Sequence, residues 1–177
     1  YIMADTTGYS FVSVPKQTNN QGRPNGKKNI VIVFNWDDVA TYTRDAKGVR
    51  VTAFALATGK KPIGLFIDEA TSEFSDTVEG DDYARGFIHN VKFAHPGVDL
   101  EVSEFKNGNV NENLGFIEVP CDPSILDCKQ AGTPCTPLKM TKGDSTSSKE
   151  ANKNEFEFKS TLRGAPLGVI ARSEEHT

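Results

Sequence analysis

The 177-residue chain lacks the features of a membrane-spanning or nucleic-acid-coating protein. No uninterrupted apolar run exceeds five residues, whereas a membrane-spanning helix needs roughly 20. The formal net charge of −4 is mild and has the wrong sign for a protein that coats nucleic acid. Leucine is scarce, at 8 residues against 14 Val, 11 Phe and 9 Ile, and glycine is common at 15. Because β-branched and aromatic residues favour strands, this composition predicts a mainly β protein.

Motifs that carry chemistry are also missing. The chain has no Gly-x-Ser-x-Gly elbow, no phosphate-binding glycine loop and no dinucleotide fingerprint, so we expect no cofactor. Cys121, Cys128 and Cys135 follow one another at seven-residue intervals, with no tight Cys-x-x-Cys pair and no nearby histidine, so no metal site is predicted. Two interpretations stay open: a disulfide that pins this proline-rich segment, or reduced structural thiols, as expected of a protein made in the cytoplasm.

Histidines and paired carboxylates have structural explanations. His89 falls on the apolar face of a predicted strand, where a hydrogen-bonded core histidine is commoner than a general base. His95 stands at a predicted strand–helix corner. The aspartate pairs at residues 37–38 and 81–82 are adjacent, and neighbours on a strand point to opposite faces, so neither is expected to form a catalytic dyad. We therefore predict no catalytic residues and no enzyme.

Both ends of the chain are expected to carry residues foreign to the natural protein. Residues 172–177 match the translation of a common sequencing adapter, so we interpret them as read-through from a metagenomic read; an ordinary polar C-terminus is the alternative. Met3 opens a segment typical of a natural start, which makes residues 1–2 upstream translation. Residues 3–171 are then predicted to form a single β-rich domain.

Hydrophobic patterning predicts up to eight strands and one short helix at about residues 98–107. The strands are expected at residues 9–14, 29–36, 49–56, 63–67, 72–78, 83–94, 114–119 and 154–162. Residues 72–78 are interpreted as the hairpin partner of residues 63–67. Residues 15–27 and 141–153 are polar and are interpreted as long loops. These elements predict a β-sandwich or barrel of seven or eight strands with one flanking helix.

The core is predicted from the apolar faces of these elements. Residues 29–36 have no polar face, so they are expected to form a central strand buried on both sides. Side chains on one face of the helix are expected to pack against the sheet: Val98, Val102 and Phe105. Core residues are expected on the two most regular strands: Phe87, Val91, Phe93, Phe156, Phe158 and Leu162.

Charge is distributed unevenly along the chain. Residues 1–61 carry a net charge of +5, residues 62–120 carry −9, and the remainder is balanced. Within one domain, such polarity predicts a basic face and an acidic face, which favour head-to-tail self-association. The alternative is that the two sets of charges interleave in space and cancel.

The order of elements resembles a family of assembling proteins. Gly-Phe-Ile-His-Asn-Val-Lys-Phe at residues 86–93 leads to Pro96-Gly97, a short helix, and Leu-Gly-Phe-Ile-Glu-Val at residues 114–119. A hairpin ending Pro-Cys-Thr-Pro-Leu follows, then a polar loop, the strand Glu-Phe-Glu-Phe-Lys-Ser-Thr-Leu and Gly-Ala-Pro-Leu. This order is similar to that of the tail tube and related virion structural proteins of tailed bacteriophages. The cysteine-rich segment 121–135 departs from a generic tube protein, which puts in doubt which virion component the chain is.

The resemblance implies a subunit of the virion that stacks as hexameric rings. Its partners would be further copies of itself and other virion proteins, with no membrane. The long loops at residues 15–27 and 141–153 would reach the adjacent ring. Acidic residues from segment 62–120 would line the lumen, so that DNA passes without tight binding.

Two other classes of protein compete with this interpretation. A capsid-associated decoration protein, or a carbohydrate- or protein-binding module, would expose an aromatic cluster, for which Trp36, Tyr42 and Phe54 are the candidates, although all three are expected to pack inside. A small hydrolase would need His89 or His95 beside a carboxylate or nucleophile in a pocket.

Overall fold

A computed structural model describes residues 13–15 and 26–172, and within them the protein is a mainly β, sandwich-like structure with antiparallel sheets and one α-helix. The strands are β1 Lys27–Asn35, β2 Val39–Arg44, β3 Val51–Leu56, β4 Ile63–Phe66, β5 Glu73–Glu79, β6 Gly86–Pro96, β7 Leu114–Pro120, β8 Asp127–Ala131, β9 Leu138–Ser147, β10 Asn152–Ser160 and β11 Gly168–Ala171. The helix α1 covers Leu100–Asn109, and a short 3-10 turn at Trp36–Asp38 separates β1 from β2. The predicted fold class is therefore confirmed.

Nine strands form one sheet that continues through a narrow junction. Its main path is β11-β8-β7-β9-β10-β6-β5, and β1 joins β7 to β4. Only the pair Leu114 and Leu138 connects β7 to β9, so the sheet can turn there and face itself. Strands β2 and β3 form a separate two-stranded ribbon.

Strand β1 is buried on both sides, as its unbroken apolar run predicts. Val31 and Val33 face the space between the two halves of the large sheet, whereas Ile32 and Phe34 face the ribbon. Strand β7 is divided in the same way, with Phe116 on the first side and Ile117 on the second. The chain therefore has two apolar cores that share these central strands.

We call these cores the inner cluster and the outer cluster. The inner cluster lies between the sheet halves and includes Val91, Phe93, Leu138, Phe156 and Phe158. The outer cluster lies under the ribbon and is built around Ile32, Phe34, Trp36, Ile117, Val119, Cys128 and Ile170, with Tyr42, Phe54 and Leu56 from the ribbon.

The helix packs where the sequence predicts, over the inner cluster. Val102 is buried, and the ring of Phe105 meets that of Phe156 edge-on at 6.0 Å. Lys106 extends from the helix to Asn154, whose side-chain amide donates to Gly97 O at 2.8 Å. Val98 is half-buried and lies before the helix. No helix in the described residues is both long and apolar enough to cross a membrane.

The interpretation of residues 141–153 as a loop is wrong. Most of this segment belongs to β9, which pairs along its length with β10, and only residues 148–151 turn between them. Its Ser, Thr, Lys and Asp side chains are largely exposed, so the strand has no apolar alternation for a sequence pattern to detect. The expected loop toward an adjacent ring is therefore not present at these residues.

Several strand predictions need correction. Strand β5 pairs with β6 and not with residues 63–67, because the chain turns at residues 68–71 and returns along β6. Strand β6 begins at Gly86 rather than at residue 83. Leu162 is 61% exposed because β10 ends at Ser160, and Phe87 is half-buried at the periphery. Strands β2, β8 and β11 have no predicted counterpart.

The chain ends are described only in part. Of the strand predicted at residues 9–14, residues 13 and 14 are described and are not in a strand, whereas its other residues and most of the loop 15–27 lie outside the described residues. Arg172, which opens the suspected adapter segment, donates its backbone N–H to Leu126 O at 2.7 Å and its guanidinium to Asp122 O at 2.9 Å and to Pro120 O. Residues 173–177 are outside the described range.

Candidate assembly edges

His89 is a core histidine, as predicted. It is 1% exposed; its Nδ1 accepts the Gly132 N–H at 2.8 Å, so Nε2 carries the proton and donates to Ala165 O at 2.6 Å. Burial lowers the pKa of His89, and the nearby Arg44 guanidinium acts in the same direction. Both ring nitrogens are occupied by backbone groups, which makes this histidine a structural link between β6, β8 and the segment before β11.

The other polar candidates from the sequence are also engaged locally. His95 contacts Phe66 O through Nδ1 at 2.8 Å and so links β6 to β4. The Asp37 N–H donates to Asn35 Oδ1 at the start of the 3-10 turn. Asp82 pairs with Arg85 at 3.1 Å in the β5–β6 loop. The structure therefore does not bring these side chains together into one site.

The aromatic candidates for a binding surface lie in the outer cluster, in agreement with the expectation that they pack inside. The Trp36 ring meets Phe34 and Tyr42 edge-on, each at 4.9 Å, and Phe54 lies 4.9 Å from Phe34. Trp36 is 8% exposed. An exposed aromatic cluster cannot be formed by these three residues.

The cysteines are free thiols, of which Cys128 is buried and Cys121 and Cys135 are exposed. Burial raises the pKa of the Cys128 thiol, as expected for a side chain that packs in the outer cluster. Among the described residues no group of three His, Cys, Asp or Glu side chains is placed to hold a metal ion.

Strand β4 presents an open sheet edge, which we call the β4 edge. Among the described strands it pairs only with β1, and Ile67 next to it donates to Asn29 O at 2.9 Å. Since antiparallel ladders alternate, Gly64 and Phe66 then point their backbone groups away from β1. His95 occupies Phe66 O, which leaves the Gly64 amide groups and the Phe66 N–H without a strand partner in the described part of the chain.

The surroundings of the β4 edge are apolar, with basic residues before the strand and the acidic Asp68 and Glu69 after it. Ile63, Phe66 and Ile30 are 49%, 47% and 37% exposed. Lys60 and Lys61 stand just before the strand and are exposed. Lys60 lies 4.0 Å from Asp38, whereas Lys61 makes no ion pair with any described residue. Exposed apolar groups beside a free edge are typical of surfaces that pair with another chain.

Strand β5 presents a second open edge, the β5 edge. Ala94 O of β6 accepts the Asp68 N–H at 2.8 Å, so the backbone N–H and C=O groups of the even-numbered residues of β6 point toward β5. In the register of the two strands these residues lie opposite the odd-numbered residues of β5 and bond them. Phe74, Asp76 and Val78 therefore point their backbone groups outward. Among the described strands only β6 pairs with β5.

The β5 edge is strongly acidic. Residues 73–82 contain five Asp or Glu and no Lys or Arg. Three of these acids lie in β5 itself, at Glu73, Asp76 and Glu79, and all are exposed. Part of the charge polarity predicted from the sequence therefore lies at the two edges, while the Lys27–Glu118 pair shows that charges of the basic and acidic segments interleave elsewhere.

Sequence reasoning identifies the acidic and basic segments but not the edges. Whether a strand is an edge depends on its neighbours in space, and here the prediction paired the two edge strands with each other. A weak indication that β4 is an edge strand is its short length of four residues together with Gly64, because short strands and glycine are more typical of edges than of sheet centres.

Comparison of the chain with protein-family models, with curated proteins and with solved structures gives no match.

Proposed function

We propose that this chain is a non-enzymatic structural subunit that assembles head to tail with copies of itself, and specifically a tail tube protein of the virion of a tailed bacteriophage. In this proposal the β4 edge of one copy pairs with the β5 edge of the next. The observation that carries it is a difference between two edge strands, each of which has one strand partner among the described residues: two lysines precede β4, whereas β5 contains three exposed acids. The finer assignment to a tail tube rests on the resemblance in residues 86–119, where a strand, Pro96-Gly97, a short helix and a second strand follow one another; the polar loop of that resemblance is strand β9 here and does not support it.

A ring follows from the use of two different surfaces. Contacts between unlike patches are heterologous, and they close into a ring when the rotation between copies fits, or form a filament when it does not. Backbone pairing would supply the affinity, while apolar side chains such as Ile63, Phe66 and Val78, each exposed by roughly half, would be buried at the contact. The resemblance to tail tubes favours a ring of six.

The acidic residues have a second role in this proposal. Acids left outside the contact would face the lumen, where they repel phosphate and let DNA slide. Glu73 and Glu79 belong to the proposed contact, so the lumen would be lined by other acids of segment 62–120, such as the exposed Glu101 and Glu104. If the acidic side chains of the assembled ring proved to lie on its outer surface, the lumen part of the proposal would be wrong.

Charge exchange between the two edges tests the proposal. The full chain is compared with K60E/K61E and with E73K/E79K by sedimentation over a concentration series. We expect the parent to assemble and to dissociate at high salt, and each variant alone to assemble less, since its two edges then carry the same sign. An equimolar mixture should restore assembly, because each reversed edge then meets an opposite one. A parent that stays monomeric at every concentration, or variants that assemble like the parent, would contradict it.

A further inference from the structure

The β5–β6 loop carries the most exposed aromatic side chain of the described residues. Tyr83 is fully exposed and has a φ of 66°, the left-handed conformation that bulky residues rarely adopt. Such a conformation is unfavourable for a residue with a side chain and persists only where the surroundings impose it. A tyrosine held in this way is a candidate for a contact residue, since tyrosine is enriched among residues that dominate binding energy.

The loop is held in a defined shape. The Ala84 N–H donates to Asp81 O at 3.0 Å, and Arg163 from the segment after β10 donates to Ala84 O at 3.0 Å. Side chains could not replace the two flanking glycines: a Cβ at Gly86 would lie 2.7 Å from Cβ of Arg163, and Gly80 has a φ of 125°. Tyr83 is therefore presented on a preformed support, beside the acidic Asp81 and Asp82.

A groove with complementary properties lies on another part of the chain. It is formed by residues 54–56 of β3 and residues 60–62 before β4, and its volume is about 560 Å³. Phe54, Leu56 and Pro62 give it apolar walls, and Lys60 and Lys61 give it positive charge. Its apolar and basic lining suits an aromatic side chain flanked by carboxylates.

The two features lie next to the two open edges. The groove ends at Pro62, one residue before β4 begins, and the Tyr83 loop starts at Gly80, one residue after β5 ends. If β4 and β5 of different copies pair antiparallel, the start of β4 lies opposite the end of β5. Antiparallel pairing therefore brings the Tyr83 loop of one copy to the groove of the next, whereas parallel pairing places it at the other end of β4.

We propose that Tyr83 of one copy inserts into the groove at residues 54–56 and 60–62 of a second copy, with antiparallel pairing of the β4 and β5 edges. This inference rests on the proposed head-to-tail assembly and adds its direction. Asp81 then approaches Lys61, and neither of them makes an ion pair with another described residue, whereas Asp82 and Lys60 already lie near Arg85 and Asp38.

Substitution of Tyr83 separates contact from folding. Tyr83→Gly removes the side chain at a φ that glycine adopts freely, so the free energy of unfolding should stay the same or rise. Association of the full chain should weaken roughly 30-fold or more if Tyr83 is a dominant contact. Tyr83→Phe, which keeps the ring, should retain most of the association. Leu126→Ala is the control, because Leu126 is likewise exposed, by 69%, but lies between β7 and β8, away from the proposed contact. Equal association for the parent and Tyr83→Gly would overturn the inference.

Disulfide trapping determines, independently of the Tyr83 variants, whether β4 and β5 of different copies pair parallel or antiparallel. In a background in which the exposed Cys121 and Cys135 are replaced by Ser, a K61C chain is mixed with a D82C chain, which keeps Tyr83, or with an E73C chain. We expect K61C to cross-link with D82C above the level that each variant shows alone. Cross-linking with E73C instead would mean parallel pairing: the inference would fail while the proposed assembly stands. Neither product, with a monomeric parent, would contradict both proposals.

Discussion

The inner and outer clusters bury apolar side chains in two different ways. The inner cluster is enclosed by long strands of the large sheet, and its phenylalanines contact one another: Phe158 lies 4.6 Å from Phe116 and 5.8 Å from Phe93. The outer cluster is closed by the β2–β3 ribbon, which shares no strand ladder with the large sheet beyond an isolated bridge between Arg50 and Val169. Sheet pairing therefore supports one core, and side-chain contacts largely support the other.

Polar contacts compensate for the missing ladder at the outer cluster. The Tyr42 hydroxyl donates to Gln130 Oε1 at 2.7 Å and accepts from Arg44 Nε at 2.8 Å, and Arg44 Nη1 donates to Pro166 O at 2.6 Å. Burial raises the pKa of Tyr42, which keeps its hydroxyl protonated and able to donate. The ribbon is thus anchored by a small network rather than by strand pairing. Its attachment matters because β3 forms one wall of the proposed groove.

Truncation in the inner cluster should have the largest effect on stability. Phe158→Ala removes a side chain that is 0% exposed and leaves a cavity between closely packed rings, so the free energy of unfolding should fall by about 3–5 kcal/mol. Chemical denaturation of dilute protein measures this loss. Leu162→Ala, in the exposed segment after β10, is the control and should change stability by less than about 0.5 kcal/mol. A small loss for Phe158→Ala would mean that the inner cluster can collapse around the gap.

Removal of the ribbon's anchor should have a smaller and more local effect. Tyr42→Phe leaves Gln130 Oε1 and Arg44 Nε without their partner, which should cost about 1–3 kcal/mol. Amide hydrogen exchange should then accelerate in β2 and β3 while β6 and β10 stay protected, because opening of the ribbon does not require the large sheet to unfold. Uniform acceleration throughout the protein would show that the ribbon and the inner cluster unfold as one unit.

The sequence predicts the inner cluster better than the outer one. Regular alternation in residues 154–160 identifies the face that carries Phe156 and Phe158, and the helix face with Val102 and Phe105 has an equally clear period. Strands β8 and β11 contribute only short segments to the outer cluster, and β2 alternates weakly, so local patterns do not detect them. The pairing of Tyr42 with Gln130 spans 88 residues and depends on the tertiary fold. The sequence does not reveal the open edges for the same reason, since they also depend on the tertiary fold.

Arg172 connects the end of β11 to the loop after β7, and its substitution measures how much the stability of the protein depends on this connection. Arg172→Ala removes donors to the carbonyls of Asp122 and Ile125, the latter at 3.3 Å, so we expect a loss of about 1–2 kcal/mol. Arg172→Lys keeps the charge but not the fork of donors, and should recover only part of the stability. Denaturation of the two variants beside the parent measures the difference; equal stability of all three would mean that water replaces these bonds without loss.

Mild acid should weaken the buried hydrogen bonds of His89 before it affects the ion pairs at the surface. The folded state lowers the pKa of His89, so the unfolded chain binds the proton first as pH falls through about 6.5. The stabilising contribution of neutral His89 is therefore complete above that pH and declines as pH falls toward the lowered folded-state pKa. A protonated ring would also direct an N–H at the Gly132 N–H, with the Arg44 guanidinium nearby, while the Asp76 carboxylate favours the proton. Asp45, Asp122 and Glu155 also have lowered pKa values, but their contribution to stability is lost only below about pH 4, where carboxylates titrate.

The free energy of unfolding, measured between pH 7.5 and 5, should therefore fall with pH in the parent. His89→Gln should remove this slope, because the glutamine amide can bond both backbone partners without titrating. An unchanged slope in the variant would assign the pH dependence to other groups.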